Sequence, residues 1–390
     1  MLNSMEIKRI HEMEINVKQG EIPKLPSRVQ VDLEDNITAD FRVEWDVKDP
    51  SIFNEKGSYE IEGTIKHKNY PKPFIEQRAD PYLYKHTDGY YYFTGSYPLY
   101  DRIVLRRAKT IDELPEAEEK VIWWKHESGI MSEHIWAPEL HFIDGKWYFH
   151  FAAGDKDDVW AIRPYVLECD AENPLEGDWI EKGQINTEFQ SFSLDATTFE
   201  HQGKRYLVWA QKVENDTISN LYIAEMENPW TIKKQVFLST PEYEWERIGF
   251  DVNEGAAVIK NDERIFIAFS ASATDENYAV GLLYADANSD LLNPESWTKL
   301  PKPVMVSSEK NQEYGPGHNS FATDEDGNEL IIYHARPYKG FQTENPLYDH
   351  NRHARIQRLF WTKDGFPYFG EPGYTLEFSD KKAKARINVR

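Results

Sequence analysis

The chain has 390 residues, with 45 Lys and Arg against 67 Asp and Glu, so its formal net charge is −22. That balance argues against nucleic acid, which needs clustered positive charge, and against an anionic membrane surface. A single cysteine, Cys169, rules out an internal disulfide, and no apolar run approaches the roughly 18 residues of a membrane-spanning helix. The opening MLNSMEIKRIHEMEINV lacks the apolar stretch of a signal peptide. The expected location is therefore cytoplasmic; a secreted protein with its leader trimmed would read the same. Aromatic residues are in excess, with 12 Trp, 22 Tyr and 20 Phe. Rings stack on sugar faces, but they also fill β-sheet cores, and that structural reading comes first.

Residues 1–68 alternate apolar and polar side chains in MEINV, RVQVDL, FRVEWDV and SYEIEGTI, the pattern of half-buried strands. Gln19-Gly20, Asp35-Asn36 and Lys56-Gly57 supply turns. A small antiparallel β-sandwich is predicted here. Val29, Val31, Val43-Glu44-Trp45-Asp46, Gly57, Tyr59, Ile61 and Gly63 resemble the bacterial Ig-like modules appended to carbohydrate-active enzymes. Residues 69–77, with Pro71 and Pro73, read as a linker, which leaves 78–390 for a second domain.

One pattern recurs five times in that domain: a strand, a turn containing Gly or charged residues, then an aromatic-rich strand. The second strands lie at 88–95, 144–151, 202–210, 262–271 and 326–335, and the first at 79–84, 136–142, 194–199, 253–259 and 317–323. Successive repeats start 56, 59, 59 and 64 residues apart. That spacing suits a four-stranded propeller blade, so the fold expected is all-β, a five-bladed β-propeller preceded by the small sandwich. Helical signals are sparse; residues 110–120 could hold one short turn.

The first strand of each blade lines a propeller's channel. The five equivalent positions are then Asp80, Trp136, Asp195, Glu254 and His318. Three carboxylates at one axis are costly, because like charges resist joint ionisation, and that cost points to function. Glycosidic bond cleavage needs two carboxyl groups, one donating a proton and one acting as base, and a third can hold the donor's proton affinity up.

Arg78-Ala79-Asp80-Pro81, Trp136-Ala137-Pro138-Glu139, Ser193-Leu194-Asp195-Ala196, Asn253-Glu254-Gly255-Ala256 and Gly315-Pro316-Gly317-His318-Asn319-Ser320 occur in that order. Together they make residues 74 to about 372 resemble the family 43 glycoside hydrolases. The resemblance implies an inverting enzyme with Asp80 as general base, Glu254 as general acid and Asp195 as the residue that raises the acid's pKa. It implies that His318 is the ligand of a central structural cation, calcium or sodium, held largely through water. Arg336 would contact sugar hydroxyls in the first subsite, and Trp136 would wall it. Segments 88–114, 134–154 and 160–168 resemble exo-acting α-L-arabinofuranosidases that remove α-1,5-linked L-arabinofuranose, so arabino-oligosaccharides or arabinan are the expected substrates.

Other readings stand beside this one. A β-D-xylosidase would use the same three carboxylates, an endo-arabinanase would need an open cleft, and a non-catalytic carbohydrate-binding propeller would have no need of a proton donor. Asp80 before Pro81 could initiate a turn, and His318 could be a satisfied core histidine. His350 and His353, flanking Asn351-Arg352, read as loop residues rather than metal ligands. Asn36-Ile37-Thr38 and Asn215-Asp216-Thr217 match the glycosylation pattern, which means little without a secretory signal. No Gly-rich phosphate loop is present, so no organic cofactor is expected.

Overall fold

The computed structural model describes residues 4–213, 216–378 and 381–390; Asn215 lies outside them. The chain divides into two compact units. One comprises the described residues up to Asn69 with Leu359–Tyr368 and Tyr374–Arg390; the other comprises Tyr70–Arg358 and Phe369–Gly373. Regular structure is nearly all β. Among the described residues the helical segments are short 3-10 turns, the longest at Ile111–Glu116, where one turn was expected.

In the first unit, six strands form one sheet in the order Ile7–Ile10, Arg28–Leu33, Thr38–Trp45, Gly57–Lys66, Lys382–Val389, Met13–Val17. This corrects the expected sandwich in two ways. The sheet is not closed within 1–68, because the C-terminal strand inserts beside Gly57–Lys66. Nor is it purely antiparallel, because Met13–Val17 pairs in parallel with Ala385–Val389. The tail alternates as strictly as the N-terminal strands do: Ala383, Ala385, Ile387 and Val389 are buried, and the residues between them are not. That period of two specifies a strand with one face in a core. Phe41 packs against Phe378 and Phe360 at centroid distances of 5.0 and 6.4 Å, so the later segments complete the core.

The expected linker is also corrected. Tyr70, Phe74 and Ile75 are buried within the second unit, and the Phe74 N–H donates to the Ala354 carbonyl at 2.9 Å. Tyr70, Phe74 and Ile75 give this Pro-containing segment a buried face that a free linker lacks.

The second unit contains five antiparallel sheets in succession among the described residues. Their first strands are Ala79–Lys85, Ile130–Ile143, Ser193–His201, Asn253–Lys260 and Tyr314–Thr323. Each is hydrogen-bonded to the aromatic-rich strand that follows it. The five first strands contact one another in a closed cycle, the fifth returning to the first. Most of the aromatic excess is core. Trp147, Trp209, Phe149 and Phe151 are fully buried, and Trp147 alone packs on Tyr84, His86, Tyr92 and Phe142.

Candidate active site

All five first strands are distorted at the same place. The register slips between Ala79 and Tyr82, Trp136 and Glu139, Leu194 and Thr197, Glu254 and Ala257, and Gly317 and Ser320. Within each slip one residue has a left-handed backbone: Asp80, Ala137, Asp195, Gly255 and His318, with φ of 53, 46, 57, 57 and 42°. Bulges of this kind re-aim a side chain and cluster beside active sites. Each non-glycine left-handed residue costs about 1–3 kcal/mol and persists only where the surroundings impose it. The structural equivalents of Asp80, Asp195 and His318 are therefore Ala137 and Gly255. Trp136 and Glu254 each stand one residue earlier, which corrects the register inferred from turn spacing. The hairpin turns differ in length, tight between Ile143 and Lys146 but longer between Lys85 and Tyr91, so a fixed distance from the turn does not mark equivalent positions.

Hydrogen bonds tie these bulges together. Ser96 Oγ donates to Asp80 Oδ2 at 2.5 Å and accepts from the Ala137 N–H at 2.8 Å. The Gly255 N–H donates to Asp195 Oδ2 at 3.0 Å, and the His318 N–H donates to Ser270 Oγ at 2.7 Å. Gly255 is required twice over. Its φ is left-handed, and a Cβ there would stand 3.1 Å from His318 Cγ.

Asp80, Asp195, Glu254 and His318 line one cavity of about 360 Å³, with apolar walls from Trp136, Phe192 and Leu347. His318 Nδ1 lies 3.2 Å from Asp80 Oδ1 and 3.7 Å from Asp195 Oδ2. Arg352, unforeseen in the sequence, places its guanidinium 3.4 Å from Asp80 Oδ1. Burial alone would raise the Asp80 carboxyl. The His318 and Arg352 charges outweigh burial and hold it well below the usual carboxylate range. His334 Nδ1 is 3.5 Å from the same oxygen, but the pair is not ionic. Burial pushes His334 down to about 3, and its Nδ1 already accepts the Asp80 N–H at 3.1 Å.

Glu254 is shifted the other way. Burial, then the Asp195 charge, push its carboxyl up to about 7, partly offset by the Tyr278 hydroxyl, which donates to Glu254 Oε1 at 2.8 Å. Tyr278 is held by stacking on His334, with the rings 5.6 Å apart and within 7° of parallel. Asp195 is raised well above its ordinary value by burial, then by the Asp80 charge, partly offset by the Gly255 N–H. Glu139, from the second motif, is buried against His141 at 3.0 Å. Burial raises Glu139 to about 8 and lowers His141 to about 3, so this contact is a neutral hydrogen bond.

Trp136 lines the cavity. Arg336, expected to contact sugar hydroxyls, is buried beside the cavity. Its guanidinium is spent on the Thr274 carbonyl and on Asp349, whose carboxylate is 3.7 Å away, while Thr274 and Arg352 face the cavity. Arg336 thus shapes the wall from behind. For the expected cation, no three His, Cys, Asp or Glu side chains stand together as a metal cage among the described residues. The single imidazole of His318 fits only an ion that keeps most of its water shell.

Residues 70–367 match the family described as Glycosyl hydrolases family 43, and residues 10–68 match the Bacterial Ig-like domain (group 4). The extracellular exo-alpha-(1->5)-L-arabinofuranosidase of Streptomyces avermitilis is 55% identical over 306 residues, 78% of this chain. This chain spans 63% of the length of that relative. The protein of the same name from Streptomyces chartreusis is 53% identical over 273 residues, covering 69% of this chain and 83% of its own. The crystal structure of alpha-L-arabinofuranosidase from Lactobacillus brevis superposes with a TM-score of 0.75 at 51% identity, over 79% of this chain and 98% of that one. Among the described residues no helix is long and apolar enough to cross a membrane. With the family match running through all five sheets and all three cavity carboxylates, this chain belongs to glycosyl hydrolases family 43.

Proposed function

We propose that this chain is an inverting, exo-acting α-L-arabinofuranosidase that releases L-arabinose from α-1,5-linked arabino-oligosaccharides or arabinan. One observation carries the reading: two carboxyl groups in one cavity have opposed proton affinities. Asp80 is held ionised, while Glu254 keeps its proton up to about 7. Base and acid in separate residues are what single-step inverting hydrolysis requires. The choice of arabinoside is supported by the printed names of the Streptomyces and Lactobacillus relatives.

In this mechanism a water between Asp80 and the anomeric carbon gives its proton to the Asp80 carboxylate as its oxygen attacks. The glycosidic C–O bond breaks on the opposite face, and the departing oxygen takes the Glu254 proton. Asp195 and Glu254 resist joint ionisation, which favours the proton on Glu254, and Asp195 fixes the adjacent bulge by accepting the Gly255 N–H. Arg352 and His318 keep Asp80 ionised until the attack. Trp136 walls the sugar's subsite. A structural cation, calcium or sodium, would take one ring nitrogen of His318 and otherwise water, supplying positive charge beside the carboxylates.

The closed cycle of first strands supports a five-bladed β-propeller for the second unit. The match over residues 10–68 supports an Ig-like accessory role for the first. The names of the two Streptomyces relatives support a secreted enzyme over the cytoplasmic one expected from the N-terminal residues.

The test is the time course of products from linear α-1,5-arabino-oligosaccharides, with a β-1,4-xylo-oligosaccharide in parallel. Free arabinose as the sole early product is expected. Xylose would overturn the substrate, shorter oligomers without monomer would overturn the exo action, and no product from either would overturn catalysis.

A further inference from the structure

The mechanism accounts for the floor of the cavity and leaves its mouth unexplained. Two large aromatic side chains there, Trp160 and Phe250, line the cavity although they are 55% and 66% exposed. Scattered exposed apolar residues are ordinary. Two rings on the rim of one polar-floored cavity are a patch with a position.

Trp160 continues an aromatic row that begins at the buried subsite. Trp136, 9% exposed, stacks on His134 with centroids 4.5 Å apart and rings 23° from parallel. His134, 8% exposed, lies 5.0 Å from Trp160. The row therefore runs from the floor to solvent. The Trp160 loop is held in place: His134 Nδ1 donates to the Val159 carbonyl at 2.9 Å, and the Trp160 N–H donates to Asp158 Oδ1 at 3.1 Å. A pre-set ring binds without the cost of being ordered at the moment of binding. Phe250 comes four residues before Glu254, on the segment that enters the same strand. Glu254 gives its proton to the departing oxygen, so that segment serves the leaving-group side.

The geometry points to a second sugar subsite at the mouth of the cavity, in which Trp160 and Phe250 bind the arabinofuranosyl unit on the leaving-group side. This rests on the reading of the floor as an arabinofuranosidase site. The ligand is an uncharged pentose unit of a linear chain. Its apolar face would lie on an aromatic ring, and the polar side chains of Asn345 and Thr274, which line the same cavity, are available to its hydroxyls.

The experiment compares kcat/KM on α-1,5-arabinotriose with kcat/KM on α-L-arabinofuranosyl fluoride, whose leaving group is too small to reach the rim. Hydrolysis of the fluoride also reports that a variant is folded. In Trp160→Ala and Phe250→Ala the triose-to-fluoride ratio is expected to fall about three- to tenfold, the size of one lost ring contact. Trp160→Phe should restore most of it. A wild-type ratio in both alanine variants would overturn the subsite while leaving the arabinofuranosidase reading intact. Equal losses on both substrates would overturn it too, because the rings would then be acting on the reacting centre. A wild-type enzyme that hydrolyses neither substrate would overturn both readings together.

Discussion

Asp80 and Glu254 sit on the first strands of the first and fourth sheets and line the same cavity. Burial acts on both in the same sense, raising the carboxyl because it penalises the charged form. Their neighbours decide the outcome. Around Asp80 stand the Arg352 guanidinium, the His318 ring and the Ser96 hydroxyl. Around Glu254 stand the Asp195 charge and a single hydroxyl donor, Tyr278. Two carboxyl groups in one cavity are thereby driven apart in proton affinity, as the proposed base and acid require. The lesson is that depth alone assigns no role; the sign of the surrounding charge does.

The severest way to break this contrast is to remove its low end. Asp80→Asn should cost roughly 10²–10⁴-fold in kcat on every substrate, because water activation is needed whatever the leaving group. Glu254→Gln should cost a similar factor on arabino-oligosaccharides but far less on 2,4-dinitrophenyl α-L-arabinofuranoside, whose leaving group needs little protonation. Initial rates on both substrates for both variants give four numbers. Glu254→Gln losing equally on the two substrates would remove Glu254 from the acid role.

Much of this was legible in the sequence. The five-fold repeat brought Asp80, Asp195, Glu254 and His318 together from strands remote in the chain, and the structure gathers all four in one cavity. Arg352 and Tyr278 escaped notice for a shared topological reason. In an antiparallel sheet, the start of the third strand lies at the same end as the start of the first. Tyr278 is the residue before the third strand of the fourth sheet, Ala279–Asp286, and Arg352 the residue before that of the fifth, His353–Arg358. The repeat's first two strands contain neither residue, and Arg352 stands between His350 and His353 in a stretch that reads as loop. The C-terminal strand was missed as part of the first unit because alternation specifies a strand and its buried face, not its partner. Its parallel partner, Met13–Val17, lies some 370 residues earlier in the chain.

The contrast can also be sharpened from the Glu254 side with two smaller changes of opposite sign. The proposed mechanism requires protonated Glu254, so kcat/KM should fall as pH rises through about 7. Asp195→Asn removes a negative neighbour while keeping an acceptor for the Gly255 N–H. The Glu254 pKa should drop, and the alkaline limb should move to lower pH by about one pH unit, with activity reduced. Tyr278→Phe removes a donor that favours the ionised carboxylate. The pKa should rise, and the same limb should move to higher pH by roughly half a pH unit. The two limbs are measured from pH profiles of kcat/KM on one arabino-oligosaccharide. Movement in opposite directions is specific to an acid set between a charge that repels its ionised form and a hydroxyl that stabilises it. A general loosening of the site would shift both limbs the same way, or lower the rate and shift neither.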